Sequence, residues 1–223
     1  MKHWKVLLFA VLIAALSAWF AAIMRPPGAK IAASGLDMPW QIRRSQDGGT
    51  ITVFGLTLGQ STVRDAVNQL GRRYELGLFE DQGGRLSLEV YFREAVVGGL
   101  NARLAMTAYL PNETLIALKT HAGNGKPVAE GGRRYPVAEQ DQALAVGAVL
   151  TGVTFIPIVK FDAELVRKRF GEPAERITAK DGAHWLYPAI GLDILLGANG
   201  EAVLQYAPPP EFESRLHAPL RRN

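Results

Sequence analysis

The sequence predicts an α+β chain: an N-terminal transmembrane helix, then two packed units, each a helix followed by a three-stranded antiparallel meander. Three observations carry this prediction. Val6 to Met24 is nineteen residues without a charge. Two helix signatures end in glycine, at Gly71 and Gly171. Each is followed by short segments in which apolar and polar residues alternate. The expected boundaries are 1–25 for the anchor, 26–49 for a spacer, 50–136 and 137–210 for the two units, and 211–223 for a tail.

The composition is that of a globular chain: 223 residues, 48% hydrophobic and 21% charged. With no cysteine, a disulfide scaffold, a thiolate metal site and a cysteine nucleophile are excluded. The net charge of +4 is concentrated at the start, where Lys2, Lys5 and Arg25 have no acid among them. Beyond residue 25 there remain 22 of the 25 Lys and Arg against 21 Asp and Glu. Nothing there forms the basic face that neutralises several phosphates, so nucleic acid is not an expected partner.

At about 1.5 Å per residue, Val6–Met24 crosses most of a roughly 30 Å hydrocarbon core. Trp4 and Trp19-Phe20 lie near its ends, and Arg25-Pro26-Pro27 stops the helix. Lys2 and Lys5 orient it with the N-terminus inside and the folded part outside. A cleaved signal peptide is the competing reading. The small-residue pairs Ala15/Ser17 and Ala32/Ser34 are both misplaced for cleavage, which favours an uncleaved anchor. The spacer that follows is rich in proline and paired glycine.

The first unit begins with a strand at Ile51–Phe54 and a helix at about 61–70. Ser61-Thr62 offers a hydroxyl cap, Val63, Ala66, Val67 and Leu70 form one apolar face, and Gly71 is the stop. Leu86–Phe92, Ala102–Leu110 and Leu115–Thr120 read as three antiparallel strands. Residues 121–136, rich in Gly, Lys and Arg, connect the halves. In the second unit Asp162 caps a helix ending at Phe170-Gly171, and His184–Tyr187, Gly191–Leu196 and Ala202–Tyr206 form a shorter meander. Between the units, Ala143–Val159 is uncharged but short and glycine-broken for a second membrane span. It is expected as a buried helix at about 138–150 followed by a loop, with Val146 inward and Gln142 outward.

Leu58–Gly71 and Phe161–Pro173, together with His184–Pro188 and Gly191–Ile194, resemble the SmpA/OmlA family of bacterial outer-membrane assembly lipoproteins. The tandem fold of the β-lactamase inhibitor proteins is similar. The resemblance implies helices packed on a three-stranded antiparallel sheet, over about residues 50–206 in two units. The chain departs from the family in lacking the lipoprotein cysteine and in having Arg72-Arg73 where a proline would follow the glycine. An apolar anchor without a lipidated cysteine implies the bacterial inner membrane, with a single pass and a periplasmic C-terminal domain.

Complete catalytic or ligand motifs are missing. Gly123-Asn124-Gly125-Lys126-Pro127 lacks the spacing and hydroxyl of a phosphate loop, and Gly59–Val63 lacks the second glycine of a nucleophile elbow. His3, His121, His184 and His217 have no metal-ligand spacing, and His184 beside Trp185 reads as a strand-surface pair. Glu80-Asp81 before Gly83-Gly84 reads as a hairpin turn, and Glu139/Asp141 as a solvated first helical turn. No catalytic residue, cofactor or metal is therefore expected. The aromatic residues outnumber what a small core needs, and Tyr91, Tyr109, Trp185 and Tyr187 form the candidate partner surface. The expected function is a non-enzymatic membrane-anchored protein that binds another envelope protein. The alternative is an envelope enzyme acting on lipid or peptidoglycan.

Overall fold

The computed structural model describes residues 37–128 and 132–221. The expected membrane span lies outside them. Among the described residues no helix is long and apolar enough to cross a membrane.

A three-stranded sheet opens the fold: β1 (Arg43–Arg44), β2 (Ile51–Val53) and β3 (Leu56–Thr57). Phe54 and Gly55 both have positive φ, 53° and 75°, which makes the two-residue turn between β2 and β3 and ends β2 before Phe54. That backbone is costly for phenylalanine. Its fully buried ring packs on Phe155 and Tyr206, and its carbonyl accepts a hydrogen bond from Gln69. Helix α1 (Val63–Leu70) follows, its N-cap Thr62 and Asp65 each satisfying the other's backbone N–H.

Next come β4 (Glu75–Glu80), β5 (Leu86–Val97), β6 (Leu100–Tyr109), α2 (Asn112–His121), β7 (Lys126–Pro127) and β8 (Arg133–Pro136). A turn at Glu139–Asp141 leads into the short α3 (Gln142–Val146), then β9 (Val149–Pro157) and α4 (Ala163–Phe170). The chain continues through β10 (Glu175–Ala179), β11 (Gly182–Tyr187), β12 (Leu192–Leu196) and β13 (Ala202–Tyr206). Its end is helical over Pro209–Glu211, Glu213–His217 and Ala218–Leu220.

The expected pair of helix-plus-meander units is not what forms. Ten strands make one antiparallel sheet in the order β10-β11-β12-β13-β9-β6-β5-β4-β8-β7. Its joint is β9, which pairs with β6 on one side and β13 on the other. This strand occupies most of the segment expected as a helix and loop. Its burial alternates, with Leu150, Val153 and Phe155 inward, but the uncharged sequence has apolar residues on both faces, at Val149, Leu150, Phe155 and Ile156, and so reads as an apolar run, as a buried helix does. Val149, Val153, Phe155 and Ile156 carry the β-branched and aromatic preference that decides for strand. Val146, expected inward, is half-buried, while its neighbour Ala145 is fully buried. Gln142, expected outward, donates to the Val137 carbonyl at 2.9 Å.

Other expectations are corrected on similar grounds. Leu115–Thr120 is helical within α2, where Leu115 and Leu118 share a buried face. After α4 the second half carries four strands where three were expected, the additional one being the polar edge strand β10. The spacer is in part folded: Trp40 stacks near Phe161 and Phe170, and the Tyr206 hydroxyl donates to Pro39 O at 3.0 Å. Asp141, expected in solvent, is buried and paired with His121 at 2.9 Å.

The helices and the small sheet cover one face, here the inner face. Leu88, Val90, Phe92, Leu104, Met106, Phe155, Ile194 and Leu204 from the strands meet Val63, Ala66, Leu118 and Val166 from the helices there. A second, smaller cluster lies on the outer face: Leu186 with Ala207, Phe212, Leu216 and Leu220. The expected tail is thus a cover over β10–β13, reaching β9 through Arg215, which donates to Thr151 O at 3.3 Å.

Candidate functional site

The site follows from register. Residues directly opposite one another on paired strands share a face. One such row crosses seven strands on the outer face: Leu186, Asp193, Gln205, Thr154, Ala105, Tyr91 and Glu75. A second, shorter row contains Pro136, Gly77, Glu89, Thr107 and Gly152. Polar side chains at sheet positions normally face water. Here the C-terminal cover seals one end of the long row, and a cavity holds the other.

At the sealed end, His184 Nδ1 lies 2.8 Å from Asp193 Oδ2, with both residues 1% exposed. Gln205 Nε2 donates to the same carboxylate at 3.5 Å, and Asp181 Oδ1 faces His184 Nε2 at 3.6 Å. Burial opposes the histidine's charge, but the hydrogen bond and charge of Asp193, with Asp181, hold its pKa above the ordinary value. On the cover, His217 lies 3.0 Å from Glu175 and 2.6 Å from Glu213, tying the cover to β10.

At the other end a half-open cavity of about 550 Å³ lies over β4, β5 and β8. Phe79, Val128 and Pro136 supply apolar wall, with Glu75, Glu89, Tyr91, Arg93 and Arg134 among the polar lining. Glu75 pairs with both Arg93 and Arg134, the latter at 3.3 Å. Glu89 is half-buried at the floor and accepts one hydrogen bond, from Ser87 Oγ at 3.3 Å. Burial pushes its carboxyl upward against the pull of Arg134. Burial likewise pushes the Tyr91 hydroxyl up to about 12.

The four aromatic residues expected as one partner surface are not brought together. Tyr91 lies on the outer face in the cavity and is nearly buried. Tyr109 stands at the end of β6, 63% exposed. Trp185 and Tyr187 belong to the inner face. The Trp185 ring lies under Arg176 at 4.4 Å and Arg167 at 5.4 Å. The Tyr187 hydroxyl donates to Gly171 O at 3.0 Å. Nor is His184 on the strand surface: it is buried, paired with Asp193 diagonally across from it. Sequence reasoning missed Glu75, Glu89 and Arg134, because alternation marks the first two only as outward positions, and the short strand Arg133–Pro136 leaves no periodic trace. Among the described residues no cluster of three or more His, Asp or Glu converges to hold a metal ion.

No protein-family model, no curated protein and no solved structure matches this chain.

Proposed function

We propose that this is a non-enzymatic, membrane-anchored periplasmic protein that binds another envelope protein through the cavity side of its sheet. The apolar run Val6–Met24 with Lys2 and Lys5 before it supports single-pass anchoring in the bacterial inner membrane. The observation that carries the binding reading is the asymmetry of the outer face. The C-terminal cover spans β10–β13, while over β4, β5 and β8 aromatic and apolar wall surrounds a few fixed charges in a half-open cavity. Apolar walls with few, well-placed polar groups are the make-up of a recognition site. The enzyme alternative would draw on His184 and Asp193, and their burial under the cover argues against substrate access.

A photo-crosslinking residue at Phe79, in the cavity wall, tests this against one at Glu113, exposed on α2 on the inner side. In membranes of cells producing the full chain, the Phe79 position should give one defined adduct with another envelope protein, and Glu113 none. Equal labelling from both positions, or no adduct from Phe79, would sink the reading.

A further inference from the structure

We propose that one end of the sheet is a membrane-contact surface, at which Ile158 and Val159 enter the headgroup boundary of the bilayer that holds the chain. This rests on the reading of Val6–Met24 as an anchor and is independent of the cavity.

Beside its first described residues the fold leaves apolar side chains bare. Met38 packs against Gly98 in the β5–β6 turn, where an added Cβ would meet its Sδ at 2.7 Å. Asn101 O, just past that turn, accepts a hydrogen bond from the Ile158 N–H at 2.9 Å. Trp40 lies near Phe161, with 6.4 Å between ring centroids. Met38–Trp40 and the link from β9 to α4 therefore share one end of the sheet. In that link Ile158 is 65% and Val159 45% exposed, and Lys160 is exposed after them, before Phe161 returns to the core.

The length of chain before this end decides what faces it. Residues 25–36 join the apolar run to Asp37. At roughly 3.3–3.6 Å per residue, they span at most about 40 Å. The far end of β6, at Tyr109, lies about 30 Å further along the strand. The tether thus holds the Ile158 end near the bilayer and the Tyr109 end away from it. A bilayer boundary accepts apolar side chains beside a basic stem, whose ammonium stays among the headgroups. The charges in the link are mixed, Lys160 being followed by Asp162, so the contact is apolar and does not select anionic lipid.

The chain has no cysteine, so a single introduced one takes a fluorescent label cleanly. Full-length Lys160→Cys and Tyr109→Cys, both at exposed positions, are labelled and reconstituted into phosphatidylcholine vesicles containing lipid with a nitroxide near the top of its acyl chain. The label at 160 should be quenched several times as strongly as the label at 109, and adding phosphatidylglycerol should leave that ratio unchanged. Ile158→Asp with Val159→Asp, in the Lys160→Cys chain, should bring the quenching down close to that at 109. Quenching at 160 no stronger than at 109 would overturn the proposal. So would quenching that the two aspartates leave unchanged, since the tether alone would then account for it. Flotation separates the two readings. A chain left behind when the vesicles float has no anchor, and this contact falls with it; a chain that floats with its label at 160 unquenched keeps the anchor and refutes the contact.

Discussion

Asp193 and His184 share a proton where water is excluded, so their pairing appears as pH-dependent stability. The folded histidine's pKa lies above its ordinary 6.5. Protons therefore favour the folded state: the stabilisation is complete below about pH 6.5 and is lost as pH rises through the folded value. Asp193→Asn removes the charge that holds the proton. Urea unfolding of the wild type should show stability falling as pH rises above His184's ordinary value, with the variant nearly flat over the same rise. At the lower pH the variant should be less stable by about 1–3 kcal/mol. The same slope in both proteins would mean that the His184–Asp193 pair is not its source. The sequence displays His184 and Asp193 nine positions apart across a turn, with nothing to say that they meet. Their pairing depends on register, which sets His184 on β11 diagonally across from Asp193 on β12. Glu89 was hidden for the same reason, since an alternating strand marks it as outward but not as confined.

Among the elements, β9 carries the most consequence. Val153 is 2% exposed between β6 and β13, whereas Ile158, just past the strand, is 65% exposed. Val153→Asp would bury an unpaired charge where both halves meet, costing several kcal/mol, on the order of a domain's whole stability. Ile158→Asp should stay within about 0.5 kcal/mol of wild type. Thermal unfolding followed by circular dichroism separates the two, and a folded Val153→Asp with an unchanged midpoint would remove β9 from the core. Elements with their own punctuation were legible. Thr62 with Asp65 and Asp162 with Leu165 cap α1 and α4, and glycines with φ of 103° and 80° end them. The strands at 86–92, 102–110 and 202–206 declared themselves by alternation. What failed were elements whose alternation is hidden by apolar residues on both faces, such as Val149-Leu150 and Phe155-Ile156 in β9, or by a largely polar sequence, such as β10. Leu115–Thr120 failed because six residues do not separate a period of 2 from one of 3.6.

For the molecule as a whole, a sheet continuous from β10 to β7 should unfold as one body. Trp40 and Trp185 both lie with the second half, so in a Trp4→Phe/Trp19→Phe background fluorescence reports that half alone, while far-ultraviolet dichroism follows the entire sheet. Their urea transitions should coincide, and Leu88→Ala, in the first half, should move both together by about 2–5 kcal/mol. Two separated transitions would restore the picture of two independent units. The position of β9 also has a meaning in time. A chain emerging from its N-terminus completes β9 while β13 is still unmade, so the newborn sheet waits with one raw margin until Ala202–Tyr206 arrives to close it. During that interval a neighbouring nascent copy offers the same hydrogen-bond ladder as the missing strand. Fragments that stop short of Ala202 keep that margin permanently, and precipitation of such fragments is the fate the topology assigns them.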